Sequence, residues 1–301
     1  MRGDKLCLDN ISFLIIYIQT SKIFNFISTV FSQLKNLIMK IGFFQFRPAQ
    51  NDVKANSEKI YDALIDKDFD LMVLPELANS GYMFSSAEEL DNASENIPSG
   101  IFSQTLLELA KKKNAYIVSG ICEKFIFEYF NSSILYCPDG TYKIYRKLHL
   151  FDTEKKWFTP GNMPLEAYEI HHTKIGMMVC FDWIFPETAR TLALKGAKII
   201  CHPSNLVMPY CQQAMFTRAL ENHVFTITAN RIGSDKDSEG NELFFTGESV
   251  IVSPKGEYLA RASKDKEECI IVEMNIAEAD DKNINENNNL FGDRRMGFYE
   301  I

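Results

Sequence analysis

From residue 39 onward, apolar runs of five or six residues alternate with stretches of helical spacing. That alternation admits few folds. It calls for strands buried between layers of helices, in an α/β architecture. Strands are predicted at Ile41–Phe46, Asp70–Leu74, Ala115–Ser119, Lys174–Val179, Ala197–Cys201, Val224–Ala229 and Cys269–Met274. Helices are predicted at Asp52–Asp66, Gly100–Lys112, Gln212–His223 and Pro186–Leu194, the last entered through proline. Two turn signals, Pro138-Asp139-Gly140 and Pro254-Lys255-Gly256, join Ser132–Tyr136 to Thr141–Arg146 and Glu248–Ser253 to Glu257–Ala260 as hairpins. Crossovers together with hairpins imply mixed sheets. Neither a repeat nor a linker interrupts the pattern after residue 38, so one domain is expected.

Composition excludes several classes. With 46% apolar and 24% charged residues, the 301-residue chain has an ordinary globular balance. It is long enough to bury a core without metal or disulfide staples. The formal net charge of −8 offers nucleic acid no basic footprint. The cysteines at 7, 122, 137, 180, 201, 211 and 269 are odd in number and contain no C-x-x-C pair. A disulfide framework and a closed zinc site are therefore not expected, and the cytoplasm is the default compartment. The histidines at 149, 171, 172, 202 and 223 form neither H-x-x-x-H nor H-E-x-x-H. Residues 1–38 read as an extension with no catalytic role. Their longest apolar run, Phe13–Ile18, is far short of the ~20 residues of a membrane span. A targeting or membrane-surface segment and a helix packed on the domain are the other readings of this stretch.

Three segments end an apolar run in a reactive polar residue, the place where ligands gather in layered α/β folds. Glu76 in LMVLPELANSGY follows a buried strand; partial burial would raise its pKa toward that of a useful general base. The same residue could be a surface glutamate. Lys147 in YKIYRKLHLF ends a hairpin strand, where it could hold an oxyanion or lie on a solvated basic edge. Cys180 in KIGMMVCFDWIFPE stands between a strand and a proline-led helix, as a nucleophile does in an elbow. Positive charge nearby would lower its pKa; otherwise it is a buried structural cysteine, as Cys122, Cys201 and Cys269 are expected to be.

Taken together, LPE at 74–76, YRKLHL at 145–150 and CFDWIFPE at 180–187 resemble the catalytic set of the nitrilase superfamily of carbon–nitrogen hydrolases. Similarity continues through FTPG at 158–161, GAKIICHPSN at 196–205, RALEN at 218–222 and the FGDRR tail, and is strongest to archaeal-type members. The resemblance implies a four-layer α-β-β-α sandwich over residues 39–282, with a tail at 283–301 that contacts the partner of a homodimer. It implies that Cys180 attacks an amide or nitrile carbon, that Glu76 takes its proton and later activates water, and that Lys147 and the backbone N–H of Phe181 hold the oxyanion. Glu154, in EKKWFTPG, would orient Lys147 and the substrate. No cofactor, metal, nucleic acid or membrane is implied. The expected substrates are small amides or N-carbamoyl compounds. The alternatives are small nitriles, acyl transfer or ammonia donation to a partner, and a silent binding member. Tyr82, Trp183 and Asn205 are candidate substrate contacts, and Phe84 is a further wall candidate. Asp182 is expected to pair with Arg190 or with a backbone N–H. A Cys–His pair is the minor alternative for His149, His171, His172 and His202. Specificity is expected from loops after Gly81, at 125–130 and at 206–211.

Overall fold

The structure is a computed structural model and describes residues 38–299. Residues 1–37, nearly all of the expected extension, and the last two residues of the expected tail lie outside the described residues.

The strands are β1 (Ile38–Gln45), β2 (Leu71–Val73), β3 (Tyr116–Phe125), β4 (Glu128–Tyr136), β5 (Tyr142–Arg146), β6 (Ala167–Ile170), β7 (Thr173–Met177), β8 (Ile199–Pro203), β9 (Phe225–Ala229), β10 (Ser234–Lys236), β11 (Glu242–Phe244), β12 (Val250–Val252), β13 (Tyr258–Arg261) and β14 (Glu268–Asn275), with a short tail hairpin of β15 (Asn283–Asn285) and β16 (Asn288–Asn289). The helices are α1 (Val53–Leu64), α2 (Ala87–Ala93), α3 (Ile101–Lys113), the single turn α4 (Glu154–Trp157), α5 (Pro186–Leu194) and α6 (Cys211–Asn222). Two six-stranded sheets run in the orders β14-β1-β2-β3-β4-β5 and β13-β12-β9-β8-β7-β6. Each is mixed: β1–β2–β3 and β7–β8–β9 pair parallel, while β3–β4–β5, β6–β7 and β9–β12–β13 pair antiparallel.

The period of two along each strand decides which side chains meet. Ile41, Phe43, Leu71, Val73, Val118 and Leu135 of the first sheet share one apolar cluster with Ile175, Met177, Ile199, Cys201, Ile227 and Ile251 of the second. The intervening residues Met72, Leu74, Ile117 and Ile134 turn the other way and pack on Ile60 and Leu64 of α1 and on Phe102, Leu106 and Leu109 of α3. Leu192 of α5 and Met215 of α6 pack with the second sheet. The result is the expected α-β-β-α order of layers. The helices α1, α3, α5 and α6 present apolar residues three or four apart, which is what places one stripe of each on a sheet.

The structure adds elements that apolar runs do not announce. The helix α2 starts at Ser86, whose side chain accepts the N–H of Glu89. The Ser-x-x-Glu spacing is the readable signal for it. The predicted strand to Val179 stops at Met177, because the N–H of Val179 turns to the Asp182 carboxylate instead of a neighbouring strand. Among the described residues, no helix is long and apolar enough to cross a membrane.

Candidate active site

Three strand ends deliver the candidate side chains. Glu76 follows β2, Lys147 follows β5 directly, and Cys180 follows β7. The Glu76 turn sits so close to β3 that a Cβ on Gly120 would lie 2.3 Å from the Glu76 Cα, which reserves that position for glycine.

Lys147 is wholly buried. Its Nζ donates to Glu76 Oε1 at 2.7 Å and to Glu154 Oε1 at 2.8 Å. Burial drives the lysine pKa down, but Glu154 and Glu76 outweigh it and hold the group above its ordinary value. It remains an ammonium. The two carboxylates then differ in their bonding. Glu154 is fully engaged: Oε1 also accepts the Tyr82 hydroxyl at 2.8 Å, and Oε2 accepts the N–H of Phe151 at 3.2 Å. Glu76 Oε1 takes a second donor, Asn131 Nδ2, at 2.7 Å, whereas Glu76 Oε2 is buried with no partner. A buried, unsatisfied carboxylate oxygen is costly and needs a reason. Burial raises the Glu76 pKa above the ordinary 4.5, against the pull of Lys147 and with a further push from Glu154.

The charges of Glu76, Lys147 and Glu154 act on the Cys180 thiol, so the turn that carries Cys180 lies near the Glu76–Lys147–Glu154 cluster. The expected direction of its pKa shift is reversed. Burial, then the negative charge of Glu76, push the thiol well above its ordinary 9.0, and the nearby ammonium does not compensate. A neutral thiol within the field of the Glu76 carboxylate therefore replaces the expected standing thiolate.

The backbone at Cys180 is held in an unfavourable form. Its φ is +41°, in the left-handed region that costs a non-glycine residue on the order of 1–3 kcal/mol. Two buried groups hold the turn. His202 Nε2 donates to the Cys180 carbonyl at 2.9 Å, and Asp182 Oδ2 accepts the N–H of Val179 at 2.8 Å. Burial lowers the His202 pKa to about 4, so the ring is neutral near pH 7. It binds the cysteine backbone, not the sulfur. Phe181 lies in the first turn of the short 3₁₀ segment Cys180–Ile184, where N–H groups lack intrahelical partners.

Asp182 does not pair with Arg190, which donates to the carbonyl of Glu221. Besides the Val179 N–H, Asp182 accepts the Tyr145 hydroxyl at 2.7 Å and the N–H of His149 at 3.2 Å, and its Oδ1 lies 2.7 Å from His149 Nδ1. The His149 ring stacks on Phe185. Asp182 therefore ties the Lys147 loop to the Cys180 loop.

The thiol opens onto a narrow cleft lined by Phe151, Cys180, Phe181, Trp183, Asn205, Leu206, Val207 and Met208. Asn205 is 2% exposed, and neither its side-chain oxygen nor its nitrogen has a partner. Its carbonyl lies 3.8 Å from Cys180 Sγ. Tyr82 and Phe84 face a separate, larger groove of about 500 Å³ with Asp152, Lys156 and Trp157. The 206–211 loop thus contributes to the wall of the thiol cavity, whereas 125–130 does not and instead exposes Phe125, Ile126 and Phe127 at the β3–β4 turn. Cys122 and Cys201 are buried, and Cys269 is half-buried.

Sequence reasoning missed Asn131, the bond from Tyr82 to Glu154, and the buried pair Arg231–Asp235. A polar residue inside the apolar context of FNSSILY was the available signal for Asn131. Among the described residues, no group of three or more His, Cys, Asp or Glu side chains could hold a metal ion.

Comparisons with known proteins bear on the family and the fold. The family model for carbon-nitrogen hydrolases matches residues 40–282. A nitrilase from Pyrococcus abyssi is 41% identical over 87% of this chain and 99% of its own length. An (R)-stereoselective amidase from a Pseudomonas species is 31% identical over 76% of this chain and 82% of its own. Among solved structures, a carbon-nitrogen hydrolase from Helicobacter pylori superposes with a TM-score of 0.78 at 26% identity, covering 88% of this chain and 97% of that one.

Proposed function

The chain belongs to the carbon-nitrogen hydrolase family, whose members hydrolyse carbon–nitrogen bonds other than peptide bonds, and from that premise we propose that it cleaves short, uncharged amides through a thioester on Cys180, releasing ammonia. One observation carries this reading: the Glu76 carboxylate is fastened to Lys147 through one oxygen and leaves the other free in a buried site shared with a thiol.

In the first half of the reaction, Glu76 Oε2 takes the thiol proton as Sγ forms a bond to the carbonyl carbon. The negative charge leaves Glu76 and reappears on the carbonyl oxygen. Lys147 serves both positions, so little reorganisation is needed as the charge moves. The Phe181 N–H is the second donor to that oxygen. The tetrahedral adduct collapses when Glu76 returns its proton to the nitrogen, the C–N bond breaks and ammonia leaves. In the second half, Glu76 takes a proton from water, the hydroxide adds to the thioester carbon, and the C–S bond breaks. Carboxylic acid is released and the proton returns to sulfur. Splitting the hydrolysis in this way turns one hard step into two easier ones. Glu154, with both oxygens engaged, holds Lys147 in place and does not touch the substrate.

The acid limb of kcat/KM tests the base. Protonated Glu76 cannot accept the thiol proton, so the rate falls as pH drops through its pKa. Because burial raises that pKa, the limb should lie above pH 4.5, and Glu76→Gln should abolish turnover. An acid limb at or below 4.5 would remove Glu76 as the base.

The substrate class rests on the wall of the site. Apart from Asn205 and Cys180, the cavity beside the thiol is apolar, and a charged acyl group there would lose its hydration without a counter-ion. The unpartnered Asn205 amide is the group suited to a polar atom of the substrate. Ammonia release should therefore favour acetamide and propionamide over the ω-carboxylate and ω-ammonium amides by about 100-fold in kcat/KM, roughly 3 kcal/mol. Asn205→Ala should cost about 10-fold. A charged amide outperforming the neutral series would overturn this assignment. The matching nitriles belong in the same panel and separate amidase from nitrilase action. The exposed Ile184, Leu194, Met296 and Phe298 support the reading of a homodimer.

A further inference from the structure

We propose that the buried Arg231–Asp235 ion pair is a positioning device for the reaction: it fixes Tyr82, and Tyr82 fixes Glu154 against Lys147. The proposal rests on the role given to Lys147 above.

Arg231 follows β9 and is wholly buried. Its guanidinium makes a two-pronged contact with Asp235, Nη1 to Oδ2 and Nη2 to Oδ1, each at 2.7 Å. Asp235 Oδ2 also accepts the backbone N–H of Tyr82 at 2.7 Å. The chain is pressed against this oxygen: a Cβ on Gly81 would lie 3.1 Å from it, and the Gly81 φ of +78° is one that glycine adopts without strain. The Arg231 guanidinium lies 4.1 Å from the centre of the Phe245 ring, and that ring meets Tyr82 edge-on at 5.8 Å. Tyr82 is thus held at its backbone by Asp235 and along its ring by Phe245. Its hydroxyl then reaches Glu154 Oε1, the same oxygen that receives Lys147.

Two points favour positioning over bulk stability. A buried ion pair is, as a rule, no more stabilising than an apolar pair of the same volume, so stability alone does not account for it. The second is direction. Burial and the neighbouring carboxylates hold the Tyr82 pKa well above 10.0, so its hydroxyl keeps its proton and acts as a fixed donor to Glu154.

The test uses Tyr82→Phe, which removes one hydroxyl, and Asp235→Asn. Activity per folded molecule, KM and the pH profile are measured beside Cys180→Ala. Tyr82→Phe should lower kcat by about 10-fold with KM changed less than about 3-fold, as expected for loss of an interaction that matters in the transition state. The charged and titrating groups that act on Glu76 are Lys147, Glu154, Cys180, Tyr82 and Arg231. Glu154 is a negative one, so loosening it should move the acid limb to lower pH in both variants. Asp235→Asn in the Tyr82→Phe background should add little. If Asp235→Asn does not fold, Phe245→Leu takes its place and should give the same downward shift. Wild-type kcat and pH profile in Tyr82→Phe, or a purely thermal defect in Asp235→Asn or Phe245→Leu, would overturn the proposal. Turnover surviving in Cys180→Ala would instead overturn the underlying reading.

Discussion

Replacing Cys180 with alanine is expected to lower turnover by at least about 10⁴-fold while the protein stays folded. The sulfur donates one long, weak hydrogen bond, to the Asn205 carbonyl at 3.8 Å, so its loss leaves no strongly held acceptor unpaired. The turn itself is held by backbone groups: His202 on the Cys180 carbonyl and Asp182 on the Val179 N–H. Alanine keeps both and meets the same φ cost. The thermal transition and far-ultraviolet circular dichroism should therefore match wild type. Mass spectrometry of the wild-type protein during turnover of a slow amide should find the acyl group on the peptide that carries Cys180. Cys122, Cys201 and Cys211 are buried as Cys180 is, but neither Glu76 nor Lys147 acts on them, and they should stay unmodified. Persisting turnover in Cys180→Ala, or an acyl group on another cysteine, would end the thioester mechanism.

Replacing Lys147 with methionine should damage both rate and stability, for separable reasons. The rate should fall by about 10³-fold or more, since the cation opposite the developing oxyanion is lost and one such donor alone is worth about 10²–10³. Stability should fall because Glu76 and Glu154, each 2.7–2.8 Å from the ammonium, are left buried without it. Breaking a buried pair by removing one partner costs about 3–5 kcal/mol, roughly 10 °C in Tm for a chain of this size. The double variant Lys147→Met with Glu76→Gln removes one of the stranded carboxylates. It should regain part of the lost Tm and stay inactive. Lys147→Met with near-normal kcat and a changed KM alone would reassign the lysine to substrate docking.

The parts that could be read in advance and the parts that could not divide along a physical line. Glu76, Lys147 and Cys180 were legible because each ends an apolar run, and the end of a run is a local property of the chain. The helices α1, α3, α5 and α6 were legible for the same reason, through the spacing of their apolar residues. The helix α2 and the single turn α4 were not, since each is short and its start depends on one cap or one turn. The sign of the Cys180 pKa shift was beyond reach because it is a sum. The ammonium pulls down, while burial and Glu76 push up by more. That outcome depends on how deep the thiol sits, which no run of residues states.

The sequence by itself determined that buried strands would alternate with amphipathic helices and that three reactive residues would stand at strand ends, because periodicity and chain reversal are set by neighbours a few residues apart. Tertiary structure alone decided which oxygen of which glutamate is free, that Asp182 ties two loops together, and that Arg231 and Asp235 reach Lys147 through Tyr82 and Glu154. Most of these links join positions dozens to more than a hundred residues apart, as the bond from the Tyr82 N–H to Asp235 does. Hydrogen bonds and electrostatic forces act over a few ångströms of space, and only the pairing of strands within a sheet and the packing of one sheet on the other bring such residues within that range.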